Sequence, residues 1–187
     1  MISVVVIGAS TGGPTVLKNI IPKLPHDFPV PIVVIQHIIA NFSKQLAQTL
    51  QNKSVIIVKE GEHMEMLKPG IVYIAPTEKH LTIKHGRIIL KDSPPRHHVK
   101  PSIDITMESA ALEYGDQSIA VVLTGAGADG TKGIEAIKNA GGITIAQSKH
   151  SCIAKDMPRN AIESGHVDYV LSPEAITDKL IELVNSQ

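Results

Sequence analysis

The chain has 187 residues, 43% of them hydrophobic and 19% charged, the length and apolar content of one compact domain with a continuous core. Lysine plus arginine balances aspartate plus glutamate at 18 each, so no global field draws the protein to nucleic acid or to an anionic membrane. A single cysteine, Cys152, excludes an internal disulfide, and no apolar run reaches the roughly 18 residues that span a bilayer. The first residues lack the basic region and long apolar core of a secretory signal, so the cytoplasm is the expected compartment, without membrane insertion.

Short β-branched apolar runs without strict alternation, at residues 3–7, 31–35, 54–58, 118–123, 143–146 and 167–171, predict strands buried on both faces of a parallel sheet. Between most of them lie helical patterns at 14–21, 42–51, 103–114, 132–140, 158–164 and 173–185, several opened by proline or capped by serine or asparagine. The middle differs: runs at 71–75, 80–84 and 87–91 are short and strand-like, and His85-Gly86 between the last two predicts an antiparallel hairpin. The expected fold is α/β, a doubly wound, mostly parallel sheet with an antiparallel hairpin extension in three layers, as one domain over residues 1–187. Ligands then gather at the carboxyl ends of the strands.

The run Gly8-Ala9-Ser10-Thr11-Gly12-Gly13-Pro14 after the first strand places a hydroxyl between glycines at a strand-to-helix turn. The glycines permit a sharp turn and close approach, Pro14 suits the first helical turn, and the N–H of Thr11 or Gly12 is a natural oxyanion donor. The loop alone serves equally as a phosphate- or dinucleotide-binding turn, although its spacing is G-x-x-x-G-G and the second strand ends in Gln36-His37 where a ribose-binding acid is expected. His37, past the second strand on the same edge of the sheet, supplies a base and favours the nucleophile reading of Ser10. Asp129, in Leu123-Thr124-Gly125-Ala126-Gly127-Ala128-Asp129-Gly130 after another buried strand, is the candidate third member, orienting the imidazole; its alternative role is a helix N-cap.

His97-His98, near Asp92 and Asp104, lacks metal-ligand spacing and a cysteine partner, so Arg96, His97, His98 and Lys100 are assigned to a loop that engages an acidic peptide, and no metal site is expected. His26, His63, His80, His85, His150 and His166 fall in loops or on the hairpin and take solvated or hydrogen-bonding roles. Cys152 is a small, partly buried residue and not the nucleophile.

The segments GASTGGP, VIQHI, YIAP, KPSID, LTGAGADGTKG, TIAQ and SCIAKDMPRNAI together resemble the catalytic domain of CheB-type chemotaxis protein-glutamate methylesterases, through nearly the whole chain. The resemblance implies a triad of Ser10, His37 and Asp129, with Ala126 near the oxyanion beside Thr11 and Gly12. It also implies hydrolysis of glutamate methyl esters on the helical cytoplasmic domains of methyl-accepting chemoreceptors, with deamidation of receptor glutamines in some members. Water is then the only cosubstrate, and no cofactor is implied. Ala126 stands where the family usually has methionine, Val99-Lys100 where it commonly has His-Arg, and Asp156 where it usually has glycine. These departures bear on substrate recognition more than on the triad. The receiver domain commonly joined to this domain is expected to be absent, leaving a fragment or a free-standing member with a separate receiver as a possible partner. A non-catalytic nucleotide-binding or protein-docking module, and an esterase acting on another substrate, are the alternatives.

Overall fold

In the computed structural model, which describes residues 1–186, nine strands form in chain order. They are β1 (Val4–Ala9), β2 (Ile32–Gln36), β3 (Ile57–Glu60), β4 (Ile71–Ile74), β5 (His80–Lys84), β6 (Arg87–Lys91), β7 (Ser118–Val122), β8 (Ile143–Gln147) and β9 (Tyr169–Leu171). The longer helices are α1 (Gly13–Ile20), α2 (Ser43–Gln51), α3 (Ile103–Tyr114), α4 (Thr131–Asn139), α5 (Asp156–Glu163) and α6 (Pro173–Asn185). Seven strands make one parallel sheet in the order β3-β4-β2-β1-β7-β8-β9, and β5 and β6 pair antiparallel as a two-stranded sheet of their own. Among the described residues no helix is long and apolar enough to cross a membrane.

Alternation along each strand sorts side chains to the two faces. Val5, Ile7 and Ala9 of β1 join a core with Leu17 and Ile20 of α1, Leu46 and Leu50 of α2, and Ile176 and Leu180 of α6. Val4 and Val6 join a second core with Ile103 and Met107 of α3, Ile134 and Ile137 of α4, and Met157 and Ala161 of α5. The hairpin covers part of this second face through Leu81, Ile83 and Ile88. Burial on both sides is why the central strands read as continuous apolar runs.

Three segments depart from the sequence reading, the first being 167–171, where only Tyr169–Leu171 is strand and lies at the sheet edge with Tyr169 and Val170 exposed. Residues 54–56 are not strand: Gln51 at the end of α2 reaches forward, its Nε2 donating to the carbonyls of Ser54 and Ile56 and its Oε1 accepting from Val58 N–H, so β3 starts only at Ile57. Val55 is left exposed, an apolar residue without a core to enter. The run at 71–75, read as a short strand of the differing middle stretch, forms as β4 but joins the parallel core sheet between β2 and β3.

The chain leaves β1 toward β2 on one side and returns to β7 on the other, so the winding reverses at β1 and opens a crevice at the carboxyl ends of β1 and β7. Gly8 sets how closely α3 approaches that crevice. A Cβ there would lie 2.4 Å from Cγ2 of the fully buried Ile103 in the first turn of α3. Gly8→Ala is therefore expected to destabilise the fold by about 1–3 kcal/mol. Urea denaturation checks this: the midpoint falls while the slope is kept, and an unchanged midpoint refutes the close approach.

Candidate active site

Ser10 and His37 each follow the last residue of a strand, and β1 and β2 pair in parallel with Ala9 opposite Gln36. The next step of that register sets Ser10 beside His37 on backbones about 4.8 Å apart. Main-chain bonds extend the pairing: His37 N–H donates to Ala9 O at 2.9 Å and Ser10 N–H to Thr124 O at 3.0 Å. The buried side chain of Gln36 then ties the two residues together, its Nε2 donating to Ser10 O at 2.8 Å and to His37 O at 2.9 Å.

Gly13 N–H donates to Ser10 O at 2.8 Å, and Gly12 has φ 81° and ψ −6°, the third position of a type II turn, which favours glycine. Gly12 caps α1 without a side-chain acceptor. Among the described residues the N–H groups of Thr11 and Gly12 at the amino terminus of α1, and of Ala126 in the loop before α4, meet no protein acceptor, which suits them to hold a developing negative charge. Gly125 packs against the nucleophile candidate, since a Cβ there would fall 2.7 Å from Ser10 Cβ and 2.2 Å from Met157 Sδ.

Asp129 comes from the loop between β7 and α4 and accepts a hydrogen bond from His37 Nε2 at 2.8 Å, with the two side chains only 15% (His37) and 7% (Asp129) exposed. The remaining ring nitrogen, Nδ1, has no protein partner among the described residues. The structure thus joins His37 to Asp129 directly and sets Ser10 beside them by strand register. No hydrogen bond links the Ser10 hydroxyl to the imidazole.

The same carboxylate caps α3. Its Oδ1 accepts from Ser102 Oγ at 3.0 Å and Asp104 N–H at 2.9 Å, and its Oδ2 from Ile103 N–H at 2.7 Å. The N-cap alternative and the His37 contact therefore coexist, and the capped helix is a distant one. Asp104 returns the contact: its Oδ1 accepts from Gly130 N–H and Gly133 N–H at the start of α4, both at 2.8 Å.

The two carboxyls titrate in opposite directions. Burial pushes Asp129 up, but the hydrogen bonds from His37 and from the N–H groups of Asp104 and Ile103 outweigh it and hold the group below its ordinary value. Burial pushes Asp104 up to about 6, the Gly133 and Gly130 N–H groups oppose it, and the charge on Asp129 reinforces it.

A cavity of about 310 Å³ opens beside the pair, lined by His37, His97, Val99, Asp104, Ala126 and Thr131 among others. The expected acidic-peptide loop is only partly free to act. Arg96 is held by Glu108 through a two-pronged pair at 2.6 and 2.8 Å, and Lys100 by Asp92 at 2.9 Å, so both cations already have partners. His97 and His98 form the left-handed pair of a two-residue turn, φ 50° and 68°, which brings His97 to the cavity wall. Cys152 is half-buried, its thiol pushed up by burial and set 3.3 Å from Ser148 O. Among the described residues no group of three or more His, Cys, Asp or Glu side chains is arranged to hold a metal ion.

The family model described as CheB methylesterase matches residues 5–180. The chain belongs to the CheB methylesterase family. It is 49% identical over 185 residues to a Thermotoga maritima protein named protein-glutamate methylesterase/protein-glutamine glutaminase, covering 97% of this chain and 54% of the relative. It is 41% identical over 184 residues to an Archaeoglobus fulgidus protein of the same name, covering 96% and 53%. The crystal structure of the Thermotoga maritima CheB methylesterase catalytic domain superposes with a TM-score of 0.95 at 47% identity, covering 98% of this chain and 99% of that one. The chain thus spans about half the length of the curated relatives it matches.

Four residues hydrogen-bonded around Ser10, His37 and Asp129 were given no part in the site from sequence: Gln36, His80, Ser102 and Asp104. Ser102 and Asp104 carried a signal, a capping residue and an acid in the first turn of a predicted helix. The signal names the local role and is silent on the other helix. Because Asp104 is more basic when folded than its ordinary value of 3.8, its stabilising contribution is full below that value and is lost as pH rises through about 6. Asp104→Asn keeps an acceptor for the two α4 N–H groups without the charge. It is expected to gain on the order of 1–3 kcal/mol relative to wild type between pH 4 and pH 7.5. Chemical denaturation at the two pH values measures this, and a pH-independent difference counts against it.

Proposed function

We propose that this chain is a serine esterase domain that hydrolyses glutamate methyl esters on the helical cytoplasmic domain of a methyl-accepting chemoreceptor, and glutamine side-chain amides by the same route. The observation that carries the reading is the bond between His37 Nε2 and Asp129 at 2.8 Å beside Ser10. A shielded imidazole-carboxylate pair beside a serine in a glycine-rich turn suits proton transfer to and from that serine, a task that a nucleotide-binding turn or a docking surface does not require. The names of the relatives, which cover both activities, support the substrate class.

With Nε2–H donated to Asp129, Nδ1 is the nitrogen that accepts the Ser10 proton. The Ser10 oxygen attacks the ester carbonyl carbon, and the carbonyl oxygen becomes an oxyanion facing the N–H groups of Thr11, Gly12 and Ala126. Collapse breaks the bond to the methoxy oxygen, which takes the proton from His37 and leaves as methanol. Water then gives a proton to His37 and its oxygen attacks the acyl carbon, releasing the glutamate carboxylate and restoring the Ser10 hydroxyl. Asp129 stays ionised throughout and steadies the imidazolium, as its lowered titration favours. In the amide reaction ammonia replaces methanol as the leaving group. No cofactor enters any step. The cytoplasm is the compartment of this reading, and a receiver domain is its further partner.

Ser10→Ala is expected to lower kcat on a methylated receptor fragment by three or more orders of magnitude and to abolish labelling by a fluorophosphonate, with stability changed by less than about 1 kcal/mol. Methanol release and labelling are the measurements. Retained hydrolysis would remove Ser10 from the mechanism, while hydrolysis of a simple ester with none of the receptor would replace the substrate.

A further inference from the structure

Beyond the three proposed catalytic side chains, a buried histidine is connected to the site through hydrogen bonds. His80, at the start of β5, is 1% exposed and has both ring nitrogens occupied. Its Nδ1 accepts from the main-chain N–H of Ser102 at 3.1 Å, so Nε2 carries the proton and donates to Pro94 O at 3.0 Å. Ser102 is the N-cap of α3, and its hydroxyl, accepting from Ile105 N–H at 3.4 Å, directs its own proton to Asp129 Oδ1 at 3.0 Å.

The contact is the first of three that fasten β5 to α3. Thr106 Oγ donates to Leu81 O at 2.7 Å, and Ile83 N–H donates to Ser109 Oγ at 2.9 Å. Ser102, Thr106 and Ser109 are spaced i, i+4, i+7 along one helix face; Thr106 and Ser109 meet main-chain groups of β5, and Ser102 meets the His80 ring. Thr106 and Ser109 grip the body of the helix. His80 alone grips its cap, where the groups that hold Asp129 begin.

We propose that His80 is a positioning residue for the reaction: it fixes the Ser102 main chain so that the Ser102 hydroxyl and the first N–H groups of α3 hold Asp129 against His37. The hairpin is then part of the active-site scaffold although none of its residues reaches the reacting atoms. This inference rests on the esterase reading for its kinetic test, and on the His37 to Asp129 bond alone for its spectroscopic one.

Two polar variants of His80 separate positioning from packing. Asn presents an oxygen where Nδ1 sits and loses the donor to Pro94, whereas Gln presents an amide where Nε2 sits and loses the acceptor for Ser102 N–H. The expected result is a kcat about tenfold lower for His80→Gln, with KM within twofold, and a kcat close to wild type for His80→Asn, although each loses one hydrogen bond and comparable thermal stability. Ser102→Ala, which leaves His80 in place, is expected to match His80→Gln, and Ser102→Thr to restore the rate.

Proton NMR of the His37 Nε2–H reads the same bond without substrate: the downfield, slowly exchanging signal persists in His80→Asn and is lost or shifted upfield in His80→Gln and Ser102→Ala. Equal kcat and an equal signal in the two His80 variants overturn the proposal, as does a wild-type rate and signal in Ser102→Ala should His80→Gln fail to fold. A wild-type protein with no esterase activity overturns the esterase reading, and the NMR comparison then decides this one.

Discussion

Two helices hold each other's amino termini through a pair of exchanged aspartates. Asp129, just before α4, takes the first N–H groups of α3, and Asp104, in the first turn of α3, takes those of α4. Two buried carboxyls so close together cannot ionise equally well. Each is compensated by the partial positive charge of the other's helix end, but only Asp129 also has the imidazole, so Asp129 ionises first and Asp104 follows only as pH rises through about 6. A pair of titratable groups driven apart by their surroundings is the arrangement that fixes which one serves as the charged partner of a base.

The exchange matters because the sheet supplies only part of the site. Parallel pairing of β1 with β2 sets Ser10 and His37 side by side without help from any helix, and Gln36 reinforces that pairing from beneath. The carboxylate arrives from the other side of β1, after β7, on a loop whose position no strand pairing determines. Its location is decided by the end of α3 that it caps, and through Ser102 by the hairpin packed on α3. Small residues make the convergence possible: Gly8 lets α3 lie against β1, and Gly125 lets the β7 loop lie against Ser10.

Where the local code spoke clearly, sequence and structure agree. The limits of α3 and α6 coincide with the pattern because Ser102 and Ser172 cap them with their side chains. Where an apolar run could be satisfied in more than one way, local reading was incomplete: residues 54–56 belong to a turn organised by Gln51, and the strand read at 71–75 forms as β4, but its place between β2 and β3 carried no local signal. The basic loop is a similar case. Arg96 and Lys100 read as free cations until their partners Glu108 and Asp92 come into contact through folding.

The sequence by itself determined the strand-helix alternation, the glycine-bracketed Ser10 at a strand end and His37 at the next, because hydrophobic period and turn chemistry act over a few residues. Only the tertiary structure decided that Asp129 meets His37 across 92 positions, that Asp104 and Asp129 exchange helix ends, and that His80 is wired to the site. Those bonds join groups whose chain separation carries no periodic signal. Which buried donor meets which acceptor is settled only when the packed core brings their backbones together and removes the water that would otherwise satisfy them.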